Sequence, residues 1–229
     1  MTTGEPPAGR DADREVLVVD DHALVGASIA GTLIARGVSA RQCRLSSTDG
    51  ILEAAGRPDR RGVVLLDLDL GYGTNGTHID ELALVRGMRS RGWRVVVVSA
   101  VTDRHRIAAA VAVGAEGYVA KSAPLQELID TVVAATDGRP LLSKAERASW
   151  IALHEQEMLL RRRSWARLRR LTAREQEILH LLAHGERAAV IAEEASVSLS
   201  TVRSQIRSIL TKLEVNSQLE AVALLRGEQ

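Results

Sequence analysis

The run Val63-Val64-Leu65-Leu66-Asp67 limits the fold more than any other stretch of this 229-residue chain. Four consecutive apolar residues lead straight into a carboxylate. With no apolar/polar alternation, such a run predicts a strand buried on both faces, as in a parallel sheet flanked by helices. Asp67 then stands where the strand ends, and in open α/β sheets ligands bind outside the carboxyl ends of the strands. Taken alone, Asp67 is equally well explained as a residue that opens a loop or caps a turn.

The neighbouring segments repeat the pattern. Glu15-Val16-Leu17-Val18-Val19 ends in Asp20-Asp21. Val38 to Cys43 is a weaker strand. Arg94-Val95-Val96-Val97-Val98 ends at Ser99-Ala100, and Glu116-Gly117-Tyr118-Val119-Ala120 leads to Lys121. Helical spacing follows each strand, over 24–36, 51–55, about 77–91, about 103–113, and from Pro124 to about Thr136. Gly37, Gly56, Gly114 and Gly138 stand at or near the stops, where a left-handed residue ends a helix. Five βα units predict a five-stranded parallel sheet with helices on both faces and right-handed crossovers.

That topology brings Asp20, Asp21, Asp67, Ser99 and Lys121 to one edge of the sheet. Three carboxylates in one place raise each other's pKa, and a divalent cation relieves the repulsion. Oxygen donors without a His or Cys cluster favour Mg²⁺ or Mn²⁺. Lys121 adds a point charge suited to a phosphoryl oxygen, and Ser99 a hydroxyl donor. Together the set can bind a metal and a phosphoryl group beside a nucleophilic carboxylate. His22 reads as a hydrogen-bonded surface histidine rather than a metal ligand, and Tyr72 as a loop residue at the rim.

These motifs resemble the receiver domains of two-component response regulators, whose sheet is flavodoxin-like. The resemblance rests on Asp20-Asp21, the strand ending in Asp67, Ser99-Ala100, and Tyr118 with Lys121 three residues on. It implies that Asp67 accepts a phosphoryl group from a sensor histidine kinase. It implies Mg²⁺ held by Asp21, Asp67 and the backbone carbonyl of Asp69, with Asp20 acting through water. Ser99 and Lys121 would bind the phosphoryl oxygens, and Tyr118 would turn inward as Ser99 is drawn to the phosphoryl group. The pattern departs from the family after Asp69. Leu70-Gly71-Tyr72-Gly73 replaces the frequent Met-Pro-Gly, and the loop to Gly76 is about one residue longer. Many relatives also carry a cis bond after the lysine, here Lys121-Ser122, at a cost of ~3 kcal/mol.

Charge separates the rest of the chain. Net charge is +1, but residues 143–170 hold 8 Lys+Arg against 3 Asp+Glu, a basic band between near-neutral flanks. Lys144 to Leu168 contains no Gly or Pro and predicts one long helix, with Arg161, Arg162, Arg163, Arg167, Arg169 and Arg170 at its end. Two uses fit these arginines: DNA phosphates, or an acidic surface of the same chain. Beyond them four short helices are expected. Thr172…Glu175 and Ser217…Glu220 read as capping boxes, Ala195 to Ser198 as a tight connection, and the helix after Ser198 or Ser200 runs to Leu213. On that helix Val202, Ile206, Ile209 and Leu213 form a buried stripe, so Arg203, Ser204 and Arg207 face outward, as on a helix that enters a major groove.

From Leu171 to Leu213 the wording is similar to the four-helix DNA-binding domain of the LuxR/NarL type. The resemblance implies that Arg203, Ser204 and Arg207 meet double-stranded DNA, that Thr201 and Lys212 hold phosphates, and that the last helix pairs two copies on DNA. Gln205 stands where many relatives have His, so target sequence does not transfer.

The expected organisation is a disordered tail over 1–13, a receiver over 14–138, a helical basic linker over 139–168, and a helix-turn-helix domain over 169–229. Cys43 is the only cysteine, no apolar run reaches the ~18–20 residues of a membrane span, and the N-terminus has no signal-peptide core. A cytoplasmic, phosphorylation-controlled transcriptional regulator of the NarL/FixJ class, not an enzyme and not membrane-bound, fits these features best. Two rivals remain: a DNA-binding regulator independent of phosphorylation, and an aspartate-based phosphoryl-transfer enzyme.

Overall fold

The computed structural model describes residues 14–58, 61–99 and 104–227. The expected tail and Ala100 lie outside them. The chain divides into two units, 1–154 and 155–229.

In the first unit, strands β1 (Arg14–Val19), β2 (Ser39–Gln42), β3 (Arg61–Asp67), β4 (Arg94–Ser99) and β5 (Gly117–Ala120) form one sheet in the order β2-β1-β3-β4-β5. Every pairing is parallel. Helices α1 (Ala23–Ala35), α2 (Thr48–Ala55), α3 (Glu81–Ser90), α4 (Arg104–Val113) and α5 (Leu125–Thr136) connect the strands or follow the last.

The unbroken apolar runs divide their side chains between two cores. Val64, Leu66, Val95 and Val97 point to one face, where Ile51 of α2, Leu84 and Met88 of α3, and Ile107 and Val111 of α4 close over them. Val63, Leu65, Val96 and Val98 point to the other, under Ile29 and Leu33 of α1 and Ile129 and Val132 of α5. With no Phe in the chain, these layers are filled mainly by Val, Leu, Ile and Ala. Cutting such a fully buried leucine to alanine costs ~2–5 kcal/mol.

The loop between β3 and α3 is where the structure departs most from expectation. Helix α3 starts at Glu81, not near 77, because residues 72–79 form a small hairpin. Tyr72 bridges His78 in antiparallel fashion, the Gly73 N–H donates to the Thr77 carbonyl at 2.9 Å, and the Ile79 N–H donates to the Gly71 carbonyl at 3.0 Å. Asp80 then caps α3 through the Ala83 N–H at 2.8 Å. The hairpin is laid on the β2–α2 loop: the Thr74 N–H donates to the Leu45 carbonyl, and a Cβ on Gly73 would sit 1.5 Å from the Ser46 oxygen. Among the described residues no peptide bond is cis, so Lys121-Ser122 is trans.

Helix α6 (Lys144–Leu168) is continuous, as expected, and the division between the units falls within it. The second unit adds α7 (Ala173–Ala183), α8 (Ala188–Glu194), α9 (Leu199–Leu213) and α10 (Gln218–Arg226) around a core of Ile178, Leu179, Ile191, Val202, Ile209, Leu213 and Leu224. No helix among the described residues is long and apolar enough to cross a membrane.

Candidate phosphorylation site and nucleic-acid interface

Strand register assembles the first site. Val19 pairs with Leu66, so Asp20 and Asp67 come next to one another at the β1/β3 step, where the strand order reverses. This is the crevice in which doubly wound sheets bind ligands. Asp67 lies opposite Val98, and the following Leu68 N–H donates to the Val98 carbonyl at 3.0 Å. Ser99 lies opposite Ala120, and the Lys121 N–H donates to the Ser99 carbonyl at 2.8 Å. All five residues expected at this edge are there.

Asp67, Asp20 and Ser99 are buried, at 1%, 7% and 5% exposure, whereas Asp21 and Asp69 are exposed. The Lys121 ammonium meets one Asp67 oxygen at 2.6 Å, and the Asp69 N–H donates to the other at 3.0 Å. Carboxylate oxygens of Asp20, Asp21 and Asp67 and a ring nitrogen of His22 lie within 4.8 Å of one another. These donors fit a hard divalent cation. His22 is largely exposed; its Nδ1 is 2.6 Å from an Asp21 oxygen, and its backbone N–H donates to Asp20 at 2.7 Å.

Burial pushes the Asp67 carboxyl above its ordinary range. The hydrogen bond and charge of Lys121, and the Asp69 N–H, pull it back, while the Asp20 charge pushes the same way as burial. Burial pulls on Lys121 in the opposite sense, but the hydrogen bond and charge of Asp67, with the charges of Asp20 and Asp21, outweigh it and leave the ammonium above its ordinary value. The result is an ionised lysine held on an acid whose charge is poorly solvated.

Two features here escaped sequence reasoning. Glu81, in the first turn of α3, accepts the Leu70 N–H at 3.2 Å and faces Arg106 of α4 at 3.4 Å, and Arg106 also lies 3.7 Å from Asp69. Tyr118 is 38% exposed on β5 and has Trp150 of α6 against its ring. Neither contact has a sequence signal, because each joins residues far apart in the chain.

In the second unit, α8 and α9 meet through a tight turn. Ser196 takes the left-handed conformation (φ 52°), and the Val197 N–H returns to the Ala192 carbonyl. The Ser198 hydroxyl accepts the Thr201 N–H at 3.1 Å, so Ser198, not Ser200, caps α9. The expected stripe of Val202, Ile206, Ile209 and Leu213 is buried, and Thr201, Arg203, Ser204 and Arg207 are exposed. Among the described residues neither Arg203 nor Arg207 meets a carboxylate.

Lys212 is placed differently. Its ammonium is held by both oxygens of the buried Glu175, at 2.8 and 2.7 Å. Glu175 also accepts from the Ser208 hydroxyl and from the Thr172 N–H and hydroxyl. Burial works against this carboxylate, yet the donors hold it down to about 2. The first capping box therefore forms, and its glutamate also reaches across to α9. In the second, the Ser217 hydroxyl accepts the Glu220 N–H, but Glu220 reaches back to the Asn216 N–H. Of the linker arginines, Arg161 pairs with Glu157, and Arg167 and Arg170 pair with Glu214 at the end of α9. Arg162, Arg163 and Arg169 are exposed.

Two families and several relatives match this chain. Residues 16–133 match the response regulator receiver domain, and residues 169–225 match the bacterial regulatory proteins of the luxR family. The nitrate/nitrite response regulator NarP of Escherichia coli K12 is 30% identical over 219 residues, spanning 94% of this chain and 97% of its own length. The transcriptional regulatory protein LiaR of Bacillus subtilis 168 is 28% identical over 210 residues, spanning 90% and 93%. The crystal structure of the response regulator ChrA, 27% identical, aligns over 93% of this chain and 96% of its own with a TM-score of 0.43. With a receiver and an output domain matched in order along its length, the chain belongs to the two-component response regulators that carry a LuxR-type DNA-binding domain.

Proposed function

We propose that this response regulator takes a phosphoryl group on Asp67 from a sensor histidine kinase and thereby controls transcription through α9. The observation that carries the reading is the Asp67 carboxylate itself. It is buried at a strand end, 2.6 Å from Lys121, with the oxygens of Asp20 and Asp21 close by.

In the reaction an Asp67 oxygen attacks the phosphorus of the kinase's phosphohistidine. The new P–O bond forms as the P–N bond breaks, and the imidazole leaves with the electron pair. Lys121 exchanges its hold on Asp67 for the phosphoryl oxygens, and Ser99 donates its hydroxyl to them. Asp21, Asp67 and the Asp69 carbonyl, with Asp20 acting through water, would hold Mg²⁺ or Mn²⁺, which would supply positive charge beside the phosphoryl oxygens. The Asp69 N–H orients Asp67. Ser99 and Tyr118 are the switch residues.

Arg203, Ser204 and Arg207 are the proposed contacts to base edges, supported by their exposure and by two guanidinium groups that meet no carboxylate among the described residues. Thr201 and Lys212 are the proposed phosphate contacts. Lys212 brings only what Glu175 leaves of its ammonium, so its share is the smaller. A homodimer on DNA, paired through α10, is supported by Leu219, an apolar side chain 80% exposed on that helix. A role on DNA fits a cytoplasmic location. It regulates rather than turns over substrate; steady hydrolysis of small phosphate esters at Asp67 would overturn that point.

The test is direct. With Mg²⁺ and a small phosphodonor the protein gains one acid-stable, base-labile phosphoryl group, and Asp67→Asn abolishes it. Labelling that persists in the Asn variant sinks the assignment.

A further inference from the structure

Within the unit 1–154, the first half of α6 is fastened to the receiver at three points. Trp150 lies edge-on against Tyr118, ring centroids 5.3 Å apart and planes at 79°. The Arg104 guanidinium of α4 sits 5.2 Å from the centroid of the same indole. Arg147, one turn earlier, donates from one nitrogen to the carbonyls of Ala115 and Glu116, at 3.0 and 3.2 Å, just before β5. Beneath them Leu142 and Trp150 pack on the core formed with α4. β5 is the last strand of the sheet, and a helix beside such an edge is one way to cover it.

One side chain belongs to both the phosphorylation site and this clamp. Tyr118 now lies outward, partly exposed, as the platform for Trp150. The switch assigned above needs the same ring turned inward. The ring cannot do both.

We propose that the α4–β5 edge of the receiver is a docking surface whose occupant is residues 142–150 of this chain, and that phosphorylation of Asp67 opens it by withdrawing Tyr118 from Trp150. The inference rests on the assignment of Asp67 and Tyr118 above. Docked α6 and inward Tyr118 then exclude each other, so the coupling runs both ways. Phosphorylation loosens the start of α6, and loss of the clamp strengthens the phosphorylated arrangement. Since α6 continues into the second unit, its release carries the signal along the chain.

The full-length protein tests this with Mg²⁺ and beryllofluoride as the phosphoryl mimic. Bound fluoride is followed by ¹⁹F NMR, and amide hydrogen exchange is followed over 144–154. Exchange in that segment is expected to rise on binding. Trp150→Ala is expected to bind beryllofluoride about two- to twelve-fold tighter, which is the ~0.5–1.5 kcal/mol of an aromatic pair expressed as a ratio. Arg147→Gln keeps Trp150, cuts the same clamp, and is expected to shift affinity in the same direction. Beryllofluoride bound with exchange over 144–154 unchanged, or with both variants matching the parent, overturns the proposal while leaving Asp67 in place. If Asp67-dependent binding is itself absent, the phosphorylation reading falls and this inference falls with it.

Discussion

Each unit of this regulator contains a lysine on a buried carboxylate, and the two pairs do opposite things. Lys121 meets Asp67 at 2.6 Å, and Lys212 meets Glu175 at 2.7 Å. Distance does not distinguish them. The number and kind of neighbours do. Besides its lysine, Asp67 accepts one backbone N–H and stands near the carboxylates of Asp20 and Asp21, and its pKa is raised. Glu175 is bonded by its lysine on both oxygens, by two hydroxyls and by a backbone N–H, and its pKa is lowered to about 2. A carboxylate left short of donors keeps a reactive lone pair and a use for a cation. A saturated one is inert and serves as a rivet.

Exchanging the two acids for their amides is the strongest way to break this comparison. Asp67→Asn should remove phosphorylation entirely while leaving the second unit's stability unchanged. Glu175→Gln should leave phosphorylation stoichiometry intact and destabilise the helix-turn-helix unit by ~2–4 kcal/mol, since it strands the Lys212 ammonium and weakens the capping box; urea unfolding of both proteins measures this. Loss of phosphorylation in both variants would erase the distinction.

Acid sharpens the same contrast. The folded pKa of Glu175 lies below its ordinary value, so its contribution is fully present above about pH 4.5 and is lost as pH falls towards about 2. The stability gap between the parent and Glu175→Gln should therefore narrow over that window. A gap that stays constant down to pH 3 would mean the carboxylate's charge is not what matters.

Smaller effects separate reading DNA from holding the unit together. Arg203→Ala should weaken specific DNA binding by ~1–3 kcal/mol and leave stability within ~0.5 kcal/mol of the parent. A loss equal across all sequences would make Arg203 a phosphate contact instead. Ser198→Ala removes the cap of α9 and should cost ~1 kcal/mol of stability, read as a shift in the unfolding midpoint.

The parts legible in the sequence were those written locally. Apolar runs that stop at Asp20, Asp67, Ser99 and Lys121 announce both the strands and their ends, and strand order then follows from a small set of allowed topologies. The buried stripe of α9 is equally local, since it repeats along one helix. Contacts made at long range were not legible. Lys212 looks like any basic residue on a basic helix until Glu175, 37 residues away, is seen to hold it. Trp150 looks like one apolar residue of a linker until Tyr118 lies under it. The 70–78 loop carries a visible excess of glycine, but its hairpin depends on the β2–α2 loop alongside.

The close approach of Gly73 to the Ser46 carbonyl sets a rule for exchanging parts among receivers. The nearest atom to a Cβ at position 73 is a backbone carbonyl oxygen, which cannot swing aside as a side chain can. A phosphorylation loop cut from this chain and grafted into a relative must bring both its glycine and the Leu45–Ser47 stretch with it. Random variation at position 73 should return glycine alone, even though the residue lies outside the phosphoryl chemistry.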